Sequence, residues 1–192
     1  AATTSTELGG TYVDAGVELE DFDPRSVALV TTSTVNEDTL GSYTVTYQAT
    51  DTTGNASTAT RTVNVTDTTA PTFVSKSSFT VDEGVTAVGF VVANDLDPRT
   101  ITFTISSSVL AITKGGALTF IQPADYESQS DFPVELPYDG STYDITATVT
   151  ATDASGNAGT QTITVSIRDV GGLDDNTNTG TGTNTNTNTN TS

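Results

Sequence analysis

Two acidic motifs each occur twice in this chain, in the same order, and their carboxylates are the residues best placed to do chemistry. Asp21-Phe22-Asp23-Pro24-Arg25-Ser26 returns as Asp95-Leu96-Asp97-Pro98-Arg99-Thr100. Thr50-Asp51-Thr52-Thr53-Gly54-Asn55-Ala56 returns as Thr152-Asp153-Ala154-Ser155-Gly156-Asn157-Ala158. A threonine-alternating stretch follows the second motif each time and ends at Asp67 or Asp169. The first motif recurs after 74 residues and the second after 102, so the later copy carries 28 more residues between them. Alternate residues of an extended chain share a side, so Asp95 and Asp97 can face one way. Asp153 can approach them from its turn, and Asp67 from the stretch between the copies. Calcium takes 6–8 oxygen ligands at roughly 2.3–2.6 Å in irregular geometry, which suits such loop carboxylates. Each motif alone also reads as a turn former whose Asp side chains bond their own backbone. Their ordered duplication favours the cation.

Composition removes most other chemistries. The chain has 192 residues, with 24 acidic against 6 basic side chains, a formal charge of −18, and no Cys, His, Met or Trp. Without Cys there is no disulfide framework, thiolate zinc site or Cys nucleophile. Without His the commonest general base and metal ligand is missing. The net charge opposes nucleic acid and anionic membrane as partners, since both call for Lys and Arg. No apolar run approaches the roughly 20 residues that would insert in a bilayer. The acidity fits solubility, adaptation to salt or cation sites, and the placing of the carboxylates points to the last.

The elements that must position these carboxylates are strands. In Tyr43-Thr-Val-Thr-Tyr-Gln-Ala, Tyr43, Val45, Tyr47 and Ala49 alternate with polar residues, the signature of a half-buried strand. The pattern predicts strands at Tyr12–Val13, Val17–Leu19, Val27–Thr32, Ser42–Thr50 and Thr58–Thr66. It predicts more at Thr72–Val74, Phe79–Val81, Ala87–Ala93, Ile101–Ser106, Leu110–Ile112, Ala117–Ile121, Phe132–Leu136, Tyr143–Thr152 and Gln161–Arg168. Turn residues punctuate them at Asp14–Gly16, Asp23-Pro24, Asn36–Asp38 and Thr53–Asn55. No segment has a useful helical period. The expected fold class is all-β, as two tandem β-sandwich domains with a low-complexity C-terminal tail. The expected boundaries are a polar N-terminal segment at 1–10, a first sandwich at 11–69, a second at 70–170 and the tail at 171–192. Between the sandwiches, Asp67-Thr-Thr-Ala-Pro71 reads as an extended joint, because Pro71 lacks an N–H and biases Ala70 away from helix. The Asn/Thr/Gly-rich tail cannot bury enough apolar surface to offset its ordering entropy. It reads as a linker, a glycan-bearing stalk or a strand that orders on a partner.

From Val65 to Val170 the sequence resembles a cadherin repeat. The resemblance rests on Asp67 with Ala70-Pro71-Thr72-Phe73, Glu83 in Val81-Asp-Glu-Gly, and Ala93-Asn-Asp-Leu-Asp97. Leu110-Ala-Ile with Gly116-Ala-Leu, Asp125-Tyr-Glu127, and Ala151-Thr-Asp153 before the strand ending at Asp169 complete it. Residues 12–71 resemble bacterial Ig-like and hyalin-type repeats through Tyr12-Val-Asp-Ala-Gly, Gly41-Ser-Tyr-Thr-Val-Thr-Tyr and Ala49-Thr-Asp-Thr-Thr-Gly-Asn. The resemblance implies an extracellular or cell-surface, secreted rod stiffened by calcium, serving adhesion or assembly. It implies that Asp95, Asp97, Asp153 and Asp67 serve the joint between the sandwiches. Glu83, Asp125, Glu127 and Asp169 would serve a joint beyond the second sandwich. The linker lacks the family's second Asp and its Asn residues, which lowers the ions expected at the inner joint to one or none. After Asp169, Asp174, Asp175 and Asn176 offer linker ligands at a shifted spacing.

Both outer ends then read as half-sites: Asp21, Asp23 and Asp51 on the first sandwich, and Glu83, Asp125, Glu127 and Asp169 on the second. Joining one copy's tail end to the head of the next would complete both and give a head-to-tail fibre. The first sandwich lacks an apolar opening strand like Thr72–Val74, so strand addition to an open sheet edge is a second route to self-association. A non-catalytic spacer, or a carbohydrate-binding module of a larger secreted adhesin or enzyme, is the alternative. Tyr126, Tyr138 and Tyr143 are its candidate sugar-stacking residues, for a glycan or cell-surface partner. Asn55-Ala-Ser, Asn64-Val-Thr and Asn190-Thr-Ser match N-glycosylation acceptors. Catalysis is not expected, since no acidic pair is joined to an apolar pocket or a basic partner.

Overall fold

The computed structural model describes residues 2–20, 27–97, 99–124 and 142–168, and among them there are strands and no helix. The expected strand Phe132–Leu136 and the C-terminal tail lie outside the described residues. The chain opens with β1 (Ala2–Glu7), β2 (Ala28–Ser33), β3 (Gly41–Thr50) and β4 (Ala56–Thr66). These make one sheet in the order β1-β4-β3-β2, with β1 parallel to β4 and the other pairs antiparallel. The threonine alternation puts Val45, Tyr47, Val63 and Val65 on one face, all buried, and Thr44, Thr46, Thr60 and Thr62 on the other. Tyr12, Val17 and Val35 pack on the buried face.

Two expectations for this first part change. Tyr12–Val13 and Val17–Leu19 are not strands: the segment is irregular, with Gly16 at φ 72° and Val13 81% exposed. Asp14 sets its path. Its carboxylate accepts hydrogen bonds from Tyr47 Oη (2.5 Å), Tyr12 Oη (2.9 Å) and the Gly16 N–H (3.2 Å), and pairs with Arg61. The polar opening segment, for its part, is not outside the sheet. Residues 2–7 form β1 and run from Ala2 opposite Arg61 to Glu7 opposite Thr66. The chain's own N-terminal strand therefore lies beside β4, as β6 lies beside β13. An edge strand needs only backbone pairing and β-compatible side chains, so Thr and Ser suffice without an apolar alternation.

The later part contains β5 (Thr72–Phe73), β6 (Ser78–Asp82), β7 (Ala87–Phe90), β8 (Ala93–Asn94) and β9 (Thr102–Ser106). After them come β10 (Leu110–Ile112), β11 (Ala117–Phe120), β12 (Thr142–Thr152) and β13 (Ala158–Arg168). One sheet runs β6-β13-β12-β9, a second runs β10-β11-β7, and β5 pairs with β8. Phe79, Phe103, Leu110, Leu118, Phe120, Ile145, Val149, Ile163 and Val165 belong to the core that these sheets enclose. Tyr143 lies in that core at 5% exposure, so it offers no open ring to a sugar; Tyr126 and Tyr138 lie outside the described residues.

The sequence duplication has a counterpart in strand order. β1-β4-β3-β2 and β6-β13-β12-β9 are the same arrangement, with the opening strand parallel to the last. The extra length of the later copy falls between its second and third equivalent strands, β9 and β12, where the β10–β11 hairpin sits; the first copy passes directly from β2 to β3.

Candidate metal centre

Three turns deliver carboxylates to the junction of the two strand systems. Asp67 follows the last residue of β4, Asp95 follows β8, and Asp153 follows β12. One carboxylate oxygen from each lies within 4.8 Å of the others, and Asp67 and Asp153 are buried. The turn after β12 closes through the Asp153 N–H to Asn157 O (3.1 Å), with Gly156 at φ 95°, a left-handed position that favours glycine. Asn157 N donates to Asp153 Oδ1 and Asn157 Nδ2 to Asp153 Oδ2, both at 2.9 Å. The same Nδ2 donates to the Asp67 carbonyl at 3.1 Å and so ties the turn to the linker. At Gly159 an added Cβ would lie 2.3 Å from Pro71 O, so glycine there lets the linker run directly over β13.

The polar groups are unevenly satisfied. Asp67 Oδ1 accepts from Thr69 N (3.1 Å) and Asp95 Oδ1 from Asp97 N (2.9 Å), but Oδ2 of each is buried without a hydrogen-bond partner. Burial raises the Asp67 carboxyl above its usual range, and the Asp153 and Asp95 charges push it the same way. Burial also pushes Asp153 up, but the Asn157 side-chain and backbone donors outweigh it and hold that carboxyl below its usual range. A carboxylate oxygen from each of Asp67, Asp95 and Asp153 converges here, and Oδ2 of Asp67 and of Asp95 is unpartnered. An all-oxygen set of this kind could hold a hard divalent cation, and suits calcium or magnesium rather than zinc.

The other candidate residues are placed differently. Asp97 is buried beside the trio, yet its Oδ1 accepts from Arg99 N (3.1 Å) and its Oδ2 from Arg99 Nε (2.6 Å). Asp51, the counterpart of Asp153, lies in the β3–β4 turn at the end of its sheet away from Asp67. Its Oδ1 accepts from Thr53 N, Thr53 Oγ1 and Asn55 N, and its Oδ2 from Asn55 Nδ2, all at 2.7–2.9 Å. The Asn55 and Thr53 bonds pull the Asp51 carboxyl down to about 2. Glu83 follows β6, its N–H donating to Arg168 O (3.1 Å) at the end of β13 away from the trio. Asp21, Asp23, Asp125, Glu127, Asp169 and Asp174 lie outside the described residues.

One carboxylate that the motifs did not mark is engaged at the joint. Glu7, the last residue of β1, accepts from Thr68 N (2.9 Å), Thr68 Oγ1 (2.6 Å) and Thr69 Oγ1 (2.8 Å). The Thr68 hydroxyl, with the backbone and Thr69 donors behind it, holds the Glu7 carboxyl below its usual range. Its sequence signal was slight: a lone acid in a polar segment.

Residues 1–65 match the family described as "Bacterial surface protein, Ig-like domain". The match begins ahead of β1 and ends one residue before the end of β4, so it takes in all four strands of the first sheet but for Thr66. No curated protein matches the chain. Among solved structures, the chain is similar to Drosophila N-cadherin EC1-4, with 14% identity and a TM-score of 0.51 over 89% of this chain and 48% of that one. Mouse cadherin-23 EC22-24 is also similar, with 16% identity and a TM-score of 0.48 over 88% of this chain and 63% of that one. The chain thus spans about half the length of the first of these. The N-cadherin likeness shows a fold: an all-β, Ig- and cadherin-like arrangement of sheets.

Proposed function

We propose that this chain is a calcium-binding structural or adhesive module of a bacterial surface or secreted protein, non-catalytic, in which Asp67, Asp95 and Asp153 hold a cation at the joint between two β units. The reading rests on one observation above all: two buried carboxylate oxygens, Asp67 Oδ2 and Asp95 Oδ2, have no donor while a third carboxylate stands beside them. Leaving a buried polar atom unpaired costs about 1–3 kcal/mol, and more when it is charged, so a cation there relieves a standing penalty. We place the units at residues 1–69 and 70–170, the first including β1. Surface location is supported by the family matched at residues 1–65. Isothermal titration with calcium should give saturable binding that D67N and D153N each weaken by at least about tenfold. No heat of binding at millimolar calcium would sink the proposal.

The same reading extends to assembly. Asp51 and Glu83 each lie at the end of their own sheet away from the joint, so both termini of the pair carry acidic groups. We propose that copies join head to tail into a surface fibre through these ends. With the edge of β4 taken by β1, strand addition is kept for the two outer strands of that sheet, β1 and β2, and all six residues of β2 are exposed. Electron microscopy with calcium and with chelator tests this: filaments that vanish on chelation support it, and monomers in both conditions refute it.

A further inference from the structure

Only six residues of this chain are basic, and two of them, Arg25 and Arg99, occupy the same place in the duplicated Asp-x-Asp-Pro-Arg motif. Arg99 is described, and its contacts run alongside the carboxylate trio. Its Nε donates to Asp97 Oδ2 and its Nη2 to Ser155 Oγ, both at 2.6 Å. Asp97 is two residues from Asp95, and Ser155 is two from Asp153, so one guanidinium bridges the two turns that supply two of the three acids. The Asp97 side chain is 2% exposed, whereas that of Arg99 is 47% exposed. Arg99 is thus a removable cover on a buried carboxylate.

We propose that Arg99 is a resident counter-cation that withholds Asp97 from the ion at the joint and so sets how tightly that ion is held. A buried carboxylate stripped of its only cation is strongly unfavourable and seeks another positive charge. The fixed positive charge of Arg99 also repels a divalent ion beside it, to a degree that depends on the local dielectric. Both effects act in the same direction: calcium binds more weakly with Arg99 present. Lysine would not serve equally, because a point charge cannot hold Asp97 and Ser155 together as the planar fork does.

The inference rests on the calcium reading above, and the test separates the two. Calcium affinity is measured by isothermal titration for the wild-type chain, R99Q and D97N/R99Q, with circular dichroism confirming each fold. R99Q should bind calcium roughly tenfold tighter than wild type. D97N/R99Q should return to within about twofold of wild type, since it removes one charge of each sign and the freed ligand with them. If R99Q loses its fold without calcium, R99K carries the test, with at least about threefold tightening expected. Wild-type binding with unchanged or weaker binding in folded R99Q overturns the role of Arg99 and leaves the calcium site standing. No binding by the wild type overturns both.

Discussion

The substitution Asp67→Asn should stabilise the protein in chelator and destabilise it in calcium. Asp67 carries a buried oxygen without a donor, and burial and the Asp153 and Asp95 charges raise its pKa. A raised folded-state value means the folded form holds the proton more tightly than the unfolded chain. Its favourable contribution is complete below the unfolded carboxylate pKa and is lost as pH rises through the folded value. At neutral pH without cation, ionised Asp67 is therefore a burden. Asparagine removes the charge, keeps the Oδ1 acceptor for Thr69 N and adds donors toward its acidic neighbours, for a gain on the order of 1 kcal/mol. Calcium reverses the order. An ion bound only by the folded state, at a hundred times its dissociation constant, adds about 2.7 kcal/mol to the wild type. For a unit of about 100 residues this raises the melting temperature by roughly 10–20 °C. The asparagine side chain offers the ion only a neutral oxygen, so the variant should fall behind by roughly 0.3 kcal/mol if its site is tenfold weaker and by about 1.7 kcal/mol if binding is lost. Calorimetry of both proteins with EDTA and with excess calcium reads the crossover directly. A variant less stable than wild type in both conditions, with parallel calcium dependence, would show that Asp67 serves the turn and not an ion.

Three further outcomes test the joint and the core. Glu7→Gln should cost roughly 0.5–1 kcal/mol at neutral pH, discounted for the exposure of Thr68 and Thr69. The lowered pKa of Glu7 means that its contribution stands above the unfolded carboxylate value and is lost as pH falls through the folded one, so urea titrations from pH 7 to 3 should be flatter for E7Q. Gly159→Ala places a Cβ 2.3 Å from Pro71 O, which must move; a loss on the order of 1–3 kcal/mol and weaker calcium binding should appear in paired melts and titrations. Leu118→Ala, in the core of the later sheets, should cost about 2–5 kcal/mol. If the two units unfold separately, only one of two calorimetric transitions should shift.

Where strands carry the threonine alternation, the sequence was enough. β3, β4, β12 and β13 begin and end within three residues of their expected bounds, because one face must be buried and the period is two. β1 was hidden because its partner supplies the order: Ala-Thr-Thr-Ser-Thr-Glu has no apolar stripe, and its place depends on pairing with a strand 59 residues away. Val17 reads as part of a strand in the sequence, and it lies in a loop packed against the core. Its position is set by Asp14, whose bonds to Tyr47 and Arg61 cross more than 30 residues of sequence. At the candidate centre, Asp67, Asp95 and Asp153 could be grouped because each sits at a strand end beside a turn. The engagement of Asp97 was also within reach, since Arg99 lies two residues on and alternate residues of an extended chain share a side.

The basic residues bear on why an external ion would sit at the joint rather than elsewhere on so acidic a chain. Asp14 is paired with Arg61, Asp97 with Arg99 and Asp82 with Arg168. Lys76 stands over the Phe79 ring, 5.0 Å from its centroid. Asp51 has no cation but is saturated by backbone, hydroxyl and amide donors from its own turn. Among the described residues, Asp67, Asp95 and Asp153 are where carboxylates gather with no resident cation, and Oδ2 of Asp67 and of Asp95 has no donor. Glu7 meanwhile grips Thr68 and Thr69 through hydrogen bonds that need no ion. The linker is thus held on one side by a carboxylate that is satisfied, while on the other Oδ2 of Asp67 and of Asp95 is not. A cation would act on the second side alone, drawing the turns after β8 and β12 onto Asp67, and stiffness of the joint should then respond to calcium without vanishing in its absence.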